Sequence, residues 1–383
     1  MELRKVPFMA FGGVFEQDDV DAVMNVAQSA AGNNGNFFPL PEENLFQEAL
    51  GKYEGAAKAI AVNSCGTALD LCMMALEIQK GDEVIVPGQT FVCTATCAAA
   101  RGAKVVFADI DADTMCLSPV AVEKKITSKT KAIIPVHFAG LACDIEAFNA
   151  ISKKHDIPVI YDAAHAVGTK YNGKPIGNKG EASCYSFQSN KNMTTLGEGG
   201  AITTDNLDFA ERVRQMKTFG YVYGQQLRVV SIGFNYRMTK PQLAVGITQL
   251  AKLDKTLAMR QENFKLMNEQ LIDVKEVKTP YGVNESHACH IYVVQLDTDK
   301  VGCSRDEFKA KLMNEYGIGT ALHYPAVWTW EVADEFEYDN SDCSVTEKVC
   351  TSVITLPVFP RTTPEDIKYV AWAIKELIAC NKK

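Results

Sequence analysis

One lysine stands apart from the other cations of the chain. In "SFQSNKNMTTLGEGG", residues 186–200, Lys191 sits among Ser, Asn and Thr, and the next charge is Glu198. An amine enclosed in a pocket near other positive groups loses proton affinity and becomes a nucleophile toward carbonyl carbon. A solvated loop lysine is the plainer reading, and residue types alone leave both open. Two further stretches carry groups that could do chemistry. In "NSCGTALDL" (63–71) an apolar run ends and Ser64, Gly66 and Thr67 begin a helical pattern. Such a helix start suits a phosphate, and it also serves as an ordinary cap. In "IPVIYDAAHAVG" (157–168) Asp162 follows five strand residues, four of them apolar, where a carboxylate needs a cation or donors to offset burial. It reads as the cap of the next helix or as the counter-ion of a buried cationic ring nitrogen. His165, three residues on, falls near the same place, as a site group or as a structural histidine.

The elements that must position these groups are short and apolar. Strand patterns fall at 59–62, 84–86, 104–107, 131–136, 157–161, 183–187 and 201–204, bounded mostly by Gly, Asp or Asn. Continuous apolar runs of this length fit strands buried on both faces. Between the first two, Leu69, Cys72, Met73 and Leu76 mark one face of a helix. The reading is an α/β fold with a mostly parallel, seven-stranded, doubly wound sheet flanked by helices. Ligands of such sheets bind beyond the carboxyl ends of the strands, where all three stretches emerge. A phosphate site, a buried acid and an isolated amine match the phosphate, ring nitrogen and aldehyde of pyridoxal phosphate.

After about residue 240 the pattern changes. Residues 242–271 read as one long helix, 290–296 as a strand, 308–316 as a helix and 320–325 as extended chain. A last helix is marked by Thr363 as cap, Pro364 at its first position and Asp366 in its first turn. The expected division is an N-terminal arm over 1–35, a large α/β domain over 36–245 and a smaller α+β domain over 246–383.

Composition narrows the function classes. Of 383 residues 47% are hydrophobic and 22% charged, with a net charge of −8, so no basic footprint for nucleic acid or anionic membrane exists. No run of 18 apolar residues suggests a membrane span, and Met1–Lys5 has no apolar signal sequence. A soluble, cytoplasmic protein is expected. The twelve cysteines are spread through apolar runs, and six scattered histidines offer no metal-ligand spacing. Buried, reduced thiols and no metal are the expectation.

Taken in order, "NSCGTALDLCMMAL", "GDEVIVPGQTFVCTATCAAARGAKVVFADID", "YDAAHAVG", "SFQSNKNMTTLGEGGAITTD", "GFNYRMTKPQLAVGITQLAKLD" and "GIGTALHYP" resemble the DegT/DnrJ/EryC1/StrS family of pyridoxal-phosphate-dependent aminotransferases, of fold type I. The resemblance covers nearly the whole chain. It implies that Lys191 holds the cofactor as a Schiff base and moves the proton, and that Asp162 keeps the ring nitrogen protonated. It further implies that Phe91 stacks on the ring, that His165 lies near it, and that Gly66, Thr67 and Ser186 hold the phosphate. Asn235 would reach that phosphate from the neighbouring subunit, making a homodimer with shared active sites. His323 and Tyr324 match the sugar side of the cleft.

The implied reaction moves an amino group from glutamate or glutamine to a keto-sugar, most often nucleotide-linked, in amino-sugar biosynthesis. Two alternatives belong to the same fold: amination of a cyclic keto-polyol in an aminocyclitol pathway, and dehydration of a sugar. Dehydratases of this kind carry His at the lysine position, so Lys191 opposes the second. A non-catalytic binding or regulatory homologue is the remaining class, and it finds no basic patch here. Three stretches depart from the common pattern of the family: Ser64-Cys65-Gly66-Thr67, where many relatives have Ser-Gly-Thr, Ser189-Asn190 before the lysine, and the segment Asn33–Glu43.

Overall fold

The strands of the central sheet are short and apolar, and both faces of the sheet are covered. A computed structural model gives the fold and describes residues 3–9, 12–222, 224 and 226–381. Met1, Glu2, Ala10 and Phe11 of the expected arm lie outside the described residues, as do Lys382 and Lys383 of the last segment.

Seven strands build the sheet: β1 Lys58–Val62, β2 Glu83–Pro87, β3 Lys104–Ala108, β4 Thr130–Ile133, β5 Ile160–Asp162, β6 Ala182–Ser186 and β7 Gly200–Thr204. Their order is β1-β7-β6-β5-β4-β2-β3, with β4 joined to β5 by the bridges Ile133–Val159 and Val136–Asp162. All neighbours run parallel except β7, which is antiparallel to β1 and β6. A two-residue strand, Tyr338–Asp339, extends the far edge beside β3. The expected mostly parallel sheet is therefore present, with β5 running through Asp162 rather than stopping before it.

One apolar layer packs under helix α1, Cys65–Ala75, whose Leu69, Leu71, Cys72 and Met73 have no exposed surface. Each leucine removed from water in this way contributes about 2 kcal/mol. The opposite face buries Phe46, Phe148, Tyr161 and Phe187. A separate cluster lies on the three-stranded antiparallel sheet of Val277–Lys278, Tyr292–Leu296 and Val353–Leu356, covered by the helices Arg305–Tyr316 and Pro364–Asn381. Thr363 caps the last of these by accepting from the Asp366 amide at 3.2 Å.

The long helix read over 242–271 is two helices, Lys240–Ala251 and Leu253–Leu271. The apolar period runs through the joint, so the sequence shows no break. Lys252 leaves helical geometry there, and its Nζ lies 2.6 Å from Asp19 Oδ2. Asp19 belongs to the helix Gln17–Ala31, which packs on Lys240–Ala251 and so carries the N-terminal segment across the molecule. Ahead of it, Val6 lies beside Ile318, and Gly12 donates to Ser189 O at 3.1 Å. Among the described residues, no helix is long and apolar enough to cross a membrane.

Candidate active site

The register of the sheet sets the site. Val62 and Ser186 both pair with Gly200, so the ends of β1 and β6 and the start of β7 form one row at a single edge. Asp162, the last residue of β5, pairs with Cys184 beside them. Beyond this edge lies a cavity of about 450 Å³. Gly66, Phe91, Asp162, His165, Ser186, Lys191, His323 and Tyr324 all line it, so eight of the ten residues singled out by sequence come together.

Lys191 is carried by a turn after β6. Its amide donates to Gln188 O at 2.8 Å, and the loop closes where the Thr195 amide meets Phe187 O at 3.0 Å. Burial pushes the ammonium's proton affinity down, and the field of Asp162 pulls part of it back. Asp162 is 3% exposed. Its carboxylate accepts from Thr94 Oγ1 at 2.7 Å and from the Ala164 amide at 3.0 Å. Burial raises its pKa; the bonds from Thr94 and Ala164 and the field of Lys191 offset this only in part. Lys191 acts on Asp162 through its field and not through contact, which leaves a desolvated acid facing the cavity.

His165 accepts from the Ala139 amide through Nδ1 at 3.2 Å. Its pKa is pushed well below the usual histidine range by burial, with Lys191 and His323 adding to it. The neutral ring with an acceptor at Nδ1 carries its proton on Nε2, which lies 3.3 Å from Tyr324 Oη. His323 reaches Thr355 Oγ1 through Nδ1 at 2.8 Å, and burial lowers its pKa to about 4. Phe91 is 55% exposed although it sits in the cavity wall, with its ring 6.0 Å from that of Tyr324.

Helix α1 points its N-terminus at the same space. Ser64 caps it by accepting from the Thr67 amide at 3.1 Å. Thr67 lies outside the lining, and its hydroxyl donates to Asn63 Oδ1 at 2.7 Å. Asn235 is exposed and also outside the cavity, where its Oδ1 accepts from Arg237 Nε at 2.9 Å.

Several lining residues escaped the sequence reading. Thr90 lines the cavity beside Phe91, and behind the wall the buried Thr94 joins it to Asp162 through a 2.8 Å contact of the two hydroxyls. Their i, i+4 spacing beside Phe91 was the available signal. Cys65 and Cys93 also line the cavity, with the Cys93 thiol pushed up to about 12 by burial and by Asp162. Gln188, Asn190 and Glu198 complete the rim, and Asn190 Oδ1 is buried without a partner among the described residues.

The chain matches the model of the DegT/DnrJ/EryC1/StrS aminotransferase family over residues 15–375. The spore coat polysaccharide biosynthesis protein SpsC of Bacillus subtilis is 35% identical over 350 residues, covering 88% of this chain and 90% of SpsC. The structure of S. venezuelae DesV in complex with a ketimine intermediate is 29% identical, with a TM-score of 0.86 over 94% of each chain. Helicobacter pylori PseC, an aminotransferase involved in the biosynthesis of pseudoaminic acid, shares the fold, with a TM-score of 0.89 at 24% identity over 98% of this chain and 100% of PseC.

Proposed function

Because the chain belongs to the DegT/DnrJ/EryC1/StrS aminotransferase family, whose members are pyridoxal-phosphate enzymes that act on sugars, we propose that it moves an amino group from glutamate or glutamine to a keto-sugar. The acceptor is carried on a nucleotide diphosphate, and the reaction belongs to cytoplasmic amino-sugar biosynthesis. The observation that carries this reading is the meeting of Lys191 and buried Asp162 in one cavity without direct contact.

The residues present fit the cofactor. A desolvated carboxylate with no cation bonded to it suits a protonated ring nitrogen, and a half-exposed phenylalanine in a cavity wall suits the face of a ring. Gly66 and Ser186 line the cavity where helix α1 begins and make the place for the phosphate, while Thr67 lies outside that lining with its hydroxyl given to Asn63. When bound, pyridoxal phosphate supplies an electron sink for the carbon that gives up or receives nitrogen.

The protein supplies the rest. Lys191 anchors the cofactor, then acts as the base that takes and returns the proton at the carbon bearing the transferred nitrogen. Its lowered proton affinity suits that task at neutral pH. Asp162 would hold negative charge against the ring nitrogen of a bound cofactor. Thr94 fixes the carboxylate's orientation, and neutral His165 offers its Nε2 proton toward the ring side of the cavity beside Tyr324. His323 and Tyr324 face the acceptor from the segment after Ile318. The division into an arm over 1–35, a large domain over 36–245 and a smaller one over 246–383 belongs to the same proposal, with the site between the last two.

A second copy completes the site. Asn235 is exposed beside Phe219, Leu227, Val229, Val230, Ile232 and Phe234, an apolar surface that a partner would cover. From there Asn235 reaches the phosphate of the neighbouring subunit.

Borohydride treatment in the presence of pyridoxal phosphate, followed by peptide mapping, is expected to label the peptide containing Lys191. Label elsewhere, or none, overturns the reading. Screening keto-sugar nucleotides and keto-inositols as acceptors, with glutamate and glutamine as donors, then identifies the substrates.

A further inference from the structure

Among the described residues Arg260 is the largest fully buried side chain, with 1% of its surface exposed. It lies inside the helix Leu253–Leu271, and among the described residues no carboxylate bonds to it. Burying a guanidinium without an acid is costly, so its bonds matter. All of them go to backbone carbonyls. Nη1 donates to Cys289 O at 3.1 Å and His290 O at 3.0 Å, and Nη2 donates to Gly12 O at 2.6 Å.

Each of these carbonyls belongs to a segment that braces the turn of Lys191. On one side, the Gly12 amide donates to Ser189 O, two residues before the lysine. A methyl group on Gly12 would lie 2.0 Å from Lys191 O, so backbone rests directly on backbone there. On the other side, His290 Nδ1 meets Asn192 Oδ1 at 3.0 Å, one residue after the lysine. Asn192 Nδ2 returns a bond to Ala288 O at 2.8 Å. The His290 ring also packs 4.5 Å from that of His165 in the cavity wall. One planar fork thus ties together both flanks of the turn, a geometry that a lysine's single ammonium cannot reproduce.

We propose that Arg260 is a positioning residue for Lys191, fixing through Gly12 and His290 the two segments between which the lysine's turn is held. The inference rests on the reading of Lys191 as the cofactor lysine. It predicts that loosening the fork frees the turn while leaving distant elements intact.

The test uses the full chain without cofactor and two measurements: amide hydrogen exchange of peptides covering 186–196, and the pH profile of Lys191 labelling by pyridoxal phosphate and borohydride. Exchange in the helix Pro364–Asn381 is the internal reference. In Arg260→Met the exchange over 186–196 is expected to rise about tenfold, the loss of a charge-assisted tie. The labelling midpoint shifts upward as the amine gains water, and the reference helix stays unchanged. Arg260→Lys, which keeps the charge but not the fork, is expected to recover part of both effects. If Arg260→Met changes neither, or raises exchange equally in the reference helix, Arg260 is a packing residue and the inference fails. Should Arg260→Met not fold, Asn192→Ala cuts the ties to His290 and Ala288 while leaving the Gly12 side intact. It is then expected to shift exchange in the same direction by a smaller factor, and an unchanged value overturns the proposal. A wild-type chain that takes no label at Lys191 sinks the functional reading instead.

Discussion

Two aspartate–lysine pairs in this molecule have opposite electrostatic outcomes. Asp19 has no exposed surface, and burial alone would raise its pKa. Bonds from Lys252, Thr248, the Glu16 amide and Gln249 outweigh that, and the carboxyl ends below its ordinary value. Asp162 is buried to a similar degree, but its lysine is held away, and its pKa ends above the ordinary value. Contact makes the first pair a clamp between the N-terminal helix and the joint at Lys252. Separation leaves the second pair with unmet demand on both sides, which on the proposed reading a bound cofactor would satisfy. Where an ion pair is closed the protein gains rigidity; where it is kept open the protein gains a site.

Exchanging roles between the pairs is the strongest way to break this contrast. Lys191→Ala is expected to cut amino transfer about 10⁴-fold with little change in unfolding temperature. Lys252→Met should do the reverse, keeping turnover within about twofold while costing about 3–5 kcal/mol in urea unfolding, because Asp19 is left buried without its cation. Equal rate losses in the two variants would erase the distinction.

The carboxylates give the next test. Asp162→Asn is expected to lower the rate about 10²–10³-fold while melting no earlier than the parent, since a desolvated charge is removed. A clear drop in melting temperature would instead place Asp162 with the structural acids. Glu54 sharpens the comparison as a third buried acid. It accepts from the Gly168 amide and Tyr185 Oη at 2.8 and 2.9 Å, and burial raises its pKa to about 7 from 4.5. Below about pH 4.5 it is protonated both folded and unfolded, and its contribution is complete. As pH rises toward 7 only the unfolded chain ionises, so about 3 kcal/mol is lost across that window. Glu54→Gln should flatten this dependence in unfolding curves taken between pH 4.5 and 8. The smallest effect is expected at Phe91: Phe91→Ala should weaken cofactor binding about tenfold in fluorescence titration, without a stability cost.

Three groups of the candidate site drew attention because they are chemically out of place, while Phe91, Ser186, His323 and Tyr324 were reached only through the family resemblance. Lys191 lacks acidic neighbours, Asp162 ends an apolar strand, and Ser64-Cys65-Gly66-Thr67 starts a helix where a chain could merely turn. Strands buried on both faces were legible as continuous apolar runs. Relations between distant residues were not. Thr94 reaches Asp162 across 68 positions, and no local pattern announces it. Arg260 reads as one more polar residue of an amphipathic helix, because its role depends on carbonyls 29, 30 and 248 positions away. The joint at Lys252 was hidden for the same reason: the apolar period continues while a tie to Asp18 and Asp19 decides the geometry.

The tie from Arg260 to Gly12 also sets an order of events during synthesis. The segment that presses on the lysine's turn leaves the ribosome early, the turn follows, and the fork that joins them emerges later still. His290 and Tyr324 come after that. On the proposed reading of Lys191, a nascent chain halted before these residues would carry that lysine without the segments that brace its turn, so cofactor binding would belong to the completed polypeptide.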